Sequence, residues 1–135
     1  MDKIRELKKW LSQGYNLVVV RNNQVIYKSK EHGIKSLFKI IKQKRVSLVG
    51  TVILDKRVGR AAALLLVLGR VKEVVTLLLS QSSQEILINN QILFLTQETV
   101  KNILDEDGHS LCPFEKLSIG KEPQEFYQIL LKKYF

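Results

Sequence analysis

The sequence has little cysteine, proline or tryptophan: one, two and one in 135 residues, with aromatics at 7%. A single thiol excludes a disulfide scaffold and any cysteine-rich zinc knuckle, and it fits a reducing compartment. So few prolines beside 45% hydrophobic residues exclude a disordered chain. Long apolar runs are missing too. The longest, Ala61 to Leu68, is closed by Arg60 and by Gly69-Arg70, far short of the roughly 18 residues that span a bilayer. The opening MDKIRELKKW lacks the apolar stretch of a signal peptide. The expectation is a soluble cytoplasmic protein of one domain, residues 1–135, with no membrane partner.

Charge is present in excess and is unevenly placed. The formal net charge is +9. Residues 1–45 hold twelve Lys/Arg and three acids, and residues 46–135 hold ten of each, so the first third carries the whole excess. Trp10, Tyr15, Tyr27 and Phe38 lie within that basic third. Basic surface with stacking rings suits RNA or other single strands. Lys and Arg spread over two helices and a hairpin are more often a solvated face.

Hydrophobic periodicity orders the chain. Ile4, Leu7 and Leu11 mark a helix over 2–13, stopped by Gly14. LVVV (17–20) and QVIYK (24–28) read as strands joined by Asn22-Asn23, a residue type that tolerates the positive φ of tight hairpins. A helix follows at 33–44 with Ile34, Leu37, Phe38 and Ile41 as its stripe. Ser47 to Leu54 reads as a strand covered on both faces and ended by Asp55, and a helix is expected at 56–68. Val71 to Leu79 is a second buried strand, 80–90 a capped helix, 92–95 a short strand and 98–104 a short helix. Residues 105–113 form a loop, a short helix starts at Pro113, and Glu122 to Lys133 forms the last helix. Alternation after the hairpin predicts a mainly parallel sheet with helices on both faces and the hairpin at one edge.

Two segments could carry chemistry. The first is Val52-Ile53-Leu54-Asp55-Lys56-Arg57-Val58-Gly59-Arg60-Ala61-Ala62-Ala63. Ligands of open α/β sheets gather at the carboxyl ends of strands, where this pattern puts Asp55. The plain structural reading makes Asp55 a helix N-cap, a role worth ~1 kcal/mol. The second is Asp107-Gly108-His109-Ser110-Leu111-Cys112-Pro113-Phe114-Glu115-Lys116. Pro113 suits the first helical position, which makes Cys112 the cap and places its thiol at the positive end of a helix dipole. His109 is a nearby candidate base, and Glu115 resembles half of a capping box. A small cysteine in a structured turn is the simpler alternative. His32, before Gly33, reads as a turn or cap residue. One Cys and two His do not furnish a zinc site, and the acids at 105–107 read as a solvated loop. No P-loop, dinucleotide fingerprint or nucleophile elbow occurs. No metal and no cofactor are expected.

The stretches LVVVRNNQVIYKSKEHGIKSLFKII, GTVILDKRVGRAAALLLVLG and DGHSLCPFEK together resemble a family of small prokaryotic proteins of unknown function, associated with the cytidine-deaminase-like fold. The match runs from about Leu17 to Phe135. It implies an α/β protein, a three-layer α/β/α sandwich with a mixed five-stranded sheet and an N-terminal antiparallel hairpin. Zinc deaminases carry H-x-E at the helix after the third strand and P-C-x-x-C at the helix after the fourth. Here those places hold Asp55-Lys56-Arg57 and Ser80-Gln81-Ser82-Ser83, so the deaminase chemistry does not carry over.

What the resemblance leaves is a deaminase-shaped pocket onto which two helix N-termini converge, with free N–H groups that attract an anion. Asp55, Lys56, Ser80, Ser82, His109 and Cys112 are the polar residues expected around it. The leading expectation is a protein binding a nucleotide-like small molecule, either as a binder or as an enzyme using Asp55 as general base or nucleophile together with Cys112. The alternative is an RNA-binding or protein-interaction module built on the basic N-terminal third. Deaminase-fold proteins often self-associate, so a homo-oligomer is a further expectation.

Overall fold

Asn22 and Asn23 both adopt positive φ, 52° and 65°, as a two-residue hairpin turn requires, and this turn begins the sheet. The computed structural model describes residues 2–31, 34–44, 46–104, 108 and 111–134. In chain order its elements are α1 (Lys3–Ser12), β1 (Leu17–Arg21), β2 (Gln24–Ser29), α2 (Lys35–Gln43), β3 (Val52–Val58), α3 (Arg60–Gly69), β4 (Glu73–Ser80), α4 (Gln81–Asn89), β5 (Leu93–Val100), α5 (Pro113–Ser118) and α6 (Pro123–Tyr134). The strands form one mixed five-stranded sheet in the order β2-β1-β3-β4-β5. β1 pairs antiparallel with both β2 and β3, and β3, β4 and β5 run parallel. The expected α/β class and edge hairpin are therefore observed.

The helices lie in two layers. Leu7 of α1 packs with Val18, Leu54 and Val75 on one face of the sheet, aided by Ile4 and Leu11. The Asp2 carboxylate starts α1 by accepting the backbone N–H of Ile4 and Arg5 at 2.9 and 3.3 Å. The main core fills the other face. There α2, α3, α4 and α6 contribute Leu37, Phe38, Leu65, Leu87, Phe126 and Leu130 against Val19, Ile53 and Val74. Helix α3 is the central one: Ala61 to Leu66 are all buried, so its three alanines let it lie close to its neighbours. None of the described helices is long and apolar enough to cross a membrane.

The structure moves two elements. The strand expected over Ser47 to Leu54 instead spans Val52 to Val58, and α3 starts at Arg60, with Gly59 as its N-cap. Asp55 is therefore mid-strand and caps nothing. The short helix expected at 98–104 is absent; β5 runs to Val100, since pairing with β4 as far as Ser80↔Val100 holds the chain extended.

The same row of the sheet explains why the first boundary misleads. The registers of β3–β4 and β4–β5 both skip one row, that of Lys56, Leu77 and Gln97. Just before it stand Asp55, Thr76 and Thr96, paired across three strands. The Thr76 hydroxyl is 3.1 Å from the Lys56 and Leu78 carbonyl oxygens, and the Thr96 hydroxyl donates to the Glu98 carbonyl at 2.9 Å. Side-chain oxygens thus take over where the ladder lapses. Beyond the break the side-chain alternation of β3 and β4 changes phase: Ile53 and Val58 enter the same core, as do Val74 and Leu79.

Candidate functional site

Residues just before and after that break line a cavity of about 320 Å³ with the N-terminal end of α5. Asp55, Lys56, Arg57 and Gly59 come from β3 and its exit, Lys35 from α2, Asn16 from the entry to β1, and Cys112 and Glu115 from the α5 segment. A bridge between Leu104 and Leu111, with the Cys112 N–H donating to the Ile103 carbonyl at 3.3 Å, holds the α5 segment against this wall. A more apolar hollow of about 340 Å³ adjoins it and shares Ile34, Lys35 and Phe114. Phe114 and Tyr134 meet there with ring centres 5.4 Å apart.

Asp55 is only 9% exposed. Burial pushes its carboxyl up to about 8, against the pull of the Arg57 and Lys56 backbone N–H groups and the Arg57 guanidinium. At neutral pH it is a carboxylic acid, suited to donating a proton before it can accept one.

Glu115 has a part that the sequence does not show. Its two carboxylate oxygens accept the backbone N–H of Arg60 and Ala61 at 2.9 and 2.8 Å. It therefore caps α3 rather than completing a capping box in its own helix. Arg60 returns the contact, its guanidinium donating to the Ser118 and Lys121 carbonyls at 2.9 and 3.0 Å, at the end of α5. Burial raises the Glu115 carboxyl above its usual range, opposed by the Ala61 and Arg60 N–H groups and the Arg60 charge. The anion expected at the α3 N-terminus is thus supplied by the chain itself. One signal was legible: a helix opening Gly-Arg-Ala, with no Ser, Thr, Asp or Asn at its cap, needs its first N–H groups satisfied from elsewhere.

The structure brings Asp55, Lys56 and Cys112 to one cavity and leaves Ser80 and Ser82 off its lining. Ser80 is buried as the α4 N-cap, its hydroxyl accepting the Ser83 N–H at 3.2 Å and standing 3.4 Å from that of Ser82. Those hydroxyls face each other and α4, so they serve the helix start. Cys112 is the α5 N-cap residue with Pro113 at the first turn, as expected, and its thiol makes no capping bond. His109 lies outside the described residues, as do His32 and the acids at 105–107. Lys35, Asn16 and Arg57 complete the lining unforeseen, because three separate elements deliver them. Among the described residues no three His, Cys, Asp or Glu side chains gather as metal ligands.

Residues 6–134 match the family model for a domain of unknown function, DUF1893, also labelled TM1506. The chain belongs to the DUF1893 family. A crystal structure of a DUF1893 family protein from Thermotoga maritima is similar, at 26% identity and a TM-score of 0.85, covering 99% of this chain and 92% of that one. Acinetobacter baumannii RibD matches more distantly, at 17% identity and a TM-score of 0.53, over 71% of this chain and 36% of that one. That second likeness concerns the fold alone, and it agrees with the deaminase-like sheet order of this DUF1893 chain. No curated protein matches the chain.

Proposed function

We propose that the DUF1893 chain binds a nucleotide-like anion in the Asp55 cavity. One observation carries the reading: Lys35, Lys56 and Arg57 line the cavity that also holds the Asp55 carboxyl, which burial keeps neutral. Glu115, the other carboxylate of the lining, is committed to the α3 N–H groups. The cavity therefore offers net positive charge, and an anion balances it. The adjoining hollow, with Phe38, Phe114 and Tyr134, supplies an aromatic wall for a ring attached to that anion. At about 320 Å³ the cavity sits at the small end of ligand sites. If a reaction follows binding, Asp55 is the proton donor, and the Cys112 thiol lines the same cavity.

Thermal and calorimetric titration with nucleoside mono- and diphosphates, and with inorganic phosphate, tests the reading. A true ligand at 100 times its Kd stabilises the fold by about 2.7 kcal/mol, and the Lys35→Ala/Lys56→Ala variant loses that gain. A nucleotide panel without effect, or equal binding by the variant, refutes it.

A further inference from the structure

A second cluster lies on the opposite face of the sheet. Asp55 pairs with Leu17, a residue of the main core, whereas Lys28 pairs with Val18, which packs beneath α1. Trp10 at the end of α1 and Tyr15 in the turn before β1 meet edge to face, with ring centres 5.8 Å apart. The Lys28 ammonium lies 5.2 Å from the Trp10 ring centre and 4.7 Å from that of Tyr15. Lys30 lies 5.1 Å from the Tyr15 ring and Lys9 5.9 Å from the Trp10 ring.

Three ammonium groups thus converge on two rings. Two of them share the Tyr15 ring at 4.7 and 5.1 Å, so no more than about 10 Å separates them, roughly one Debye length at 0.1 M salt. The ion pairs among the described residues, Lys3–Glu73 and Lys39–Glu31, include none of the three. Both rings are partly buried, packed against the core beneath α1, and keep part of their surface beside the cations. Converging cations beside partly exposed aromatic rings form an electrostatic arrangement that a polyanion with stacking bases completes.

We infer that the Trp10–Tyr15–Lys28 face binds single-stranded nucleic acid, with Lys9, Lys28 and Lys30 on phosphates and the two rings against bases. Lysine and aromatic side chains interleaved on one surface are what sequence-tolerant single-strand binding uses. A lipid surface fits less well. The apolar stripe of α1, Ile4, Leu7 and Leu11, is spent on the sheet and leaves no apolar face to insert.

Trp10 is the one tryptophan of the chain, so its fluorescence reports this site alone. Titration with oligo(U) and with oligo(dT) at low salt is expected to quench it. The logarithm of the binding constant should then fall with log salt at a slope of about −2, since each of three phosphates contributes about −0.7 on a single strand. The Lys28→Ala/Lys30→Ala variant should reduce the slope to about −0.7 and weaken binding at least tenfold. The Lys132→Ala/Lys133→Ala variant removes the same charge from exposed positions on α6 and should bind as the unmodified chain does. All four lysines are exposed, so both variants are expected to remain folded, as circular dichroism checks. Absence of quenching at low salt overturns the inference. So does equal weakening in both lysine variants, or binding of anionic phospholipid vesicles in preference to either oligonucleotide.

Discussion

The carboxylate of Glu115 occupies the space that a β-carbon on Gly59 would need. A methyl group there would lie 2.6 Å from the carboxyl carbon and from one of its oxygens, and 2.7 Å from the other. The backbone of Gly59 is extended, with φ −105° and ψ −170°, so glycine serves here for clearance and not for conformational freedom. The carboxylate can approach the Arg60 and Ala61 N–H groups only because nothing projects from residue 59.

Gly59→Ala is therefore expected to cost as much as losing the Glu115 cap. Glu115→Ala removes two charge-assisted hydrogen bonds, each worth about 1.5–3 kcal/mol. The double variant Gly59→Ala/Glu115→Ala should be little worse than Glu115→Ala alone, because the methyl group then meets no carboxylate. Urea denaturation of the three variants gives the cycle. Additive losses would show that the two residues act independently.

Asp55 sets a pH dependence of definite sign. Its folded pKa, about 8, stands above its ordinary value of 3.8. The folded state therefore holds the proton more tightly than the unfolded chain does. Its contribution to stability is complete below about pH 4 and is lost as pH rises to about 8, by up to about 1.4 kcal/mol per pH unit. Asp55→Asn, which keeps the shape and cannot ionise, should gain on the unmodified protein steadily between pH 5 and 8 and then level off. Parallel stability curves for the two proteins across that range would contradict the assignment.

Thr76 tests the break in the sheet. Its hydroxyl bridges the Lys56 and Leu78 carbonyls, and Thr76 is fully buried. Thr76→Val keeps the shape and leaves those acceptors with less, at a cost of about 1–3 kcal/mol. Amide exchange should accelerate most around residues 56–58 and 77–79, near the lost bonds. Uniform acceleration across the molecule would show that the hydroxyl serves only global stability.

Much of the fold is legible in the sequence, for physical reasons that can be named. Asn22-Asn23 between two apolar stretches specifies the hairpin, since few other residue pairs accept two positive φ values. The apolar runs of β3 and β4 announce strands with both faces covered. Asp55 misleads because Asp-Lys-Arg usually marks the end of a strand, whereas here its side chain and that of Thr76 compensate a lapse in the ladder. Residues 98–104 mislead because Glu98, Lys101 and Leu104 favour helices locally, and pairing of Glu98 to Val100 with a neighbouring strand overrides that preference. The site is only half legible. Asp55, Lys56 and Cys112 share a cavity, but the Glu115–Arg60 exchange joins residues 55 positions apart, and no local pattern encodes a contact of that range.

The skipped row at Lys56, Leu77 and Gln97 also governs how this sheet can change length. Adding or deleting one residue in β3 alone, before the row, would turn Ile53 and Leu54 to each other's layer while Val58 kept its place. The same holds for Val74 and Val75 in β4 relative to Leu79. Viable length changes in these strands are therefore confined to their ends, or must come in pairs that restore the phase on both sides of the break.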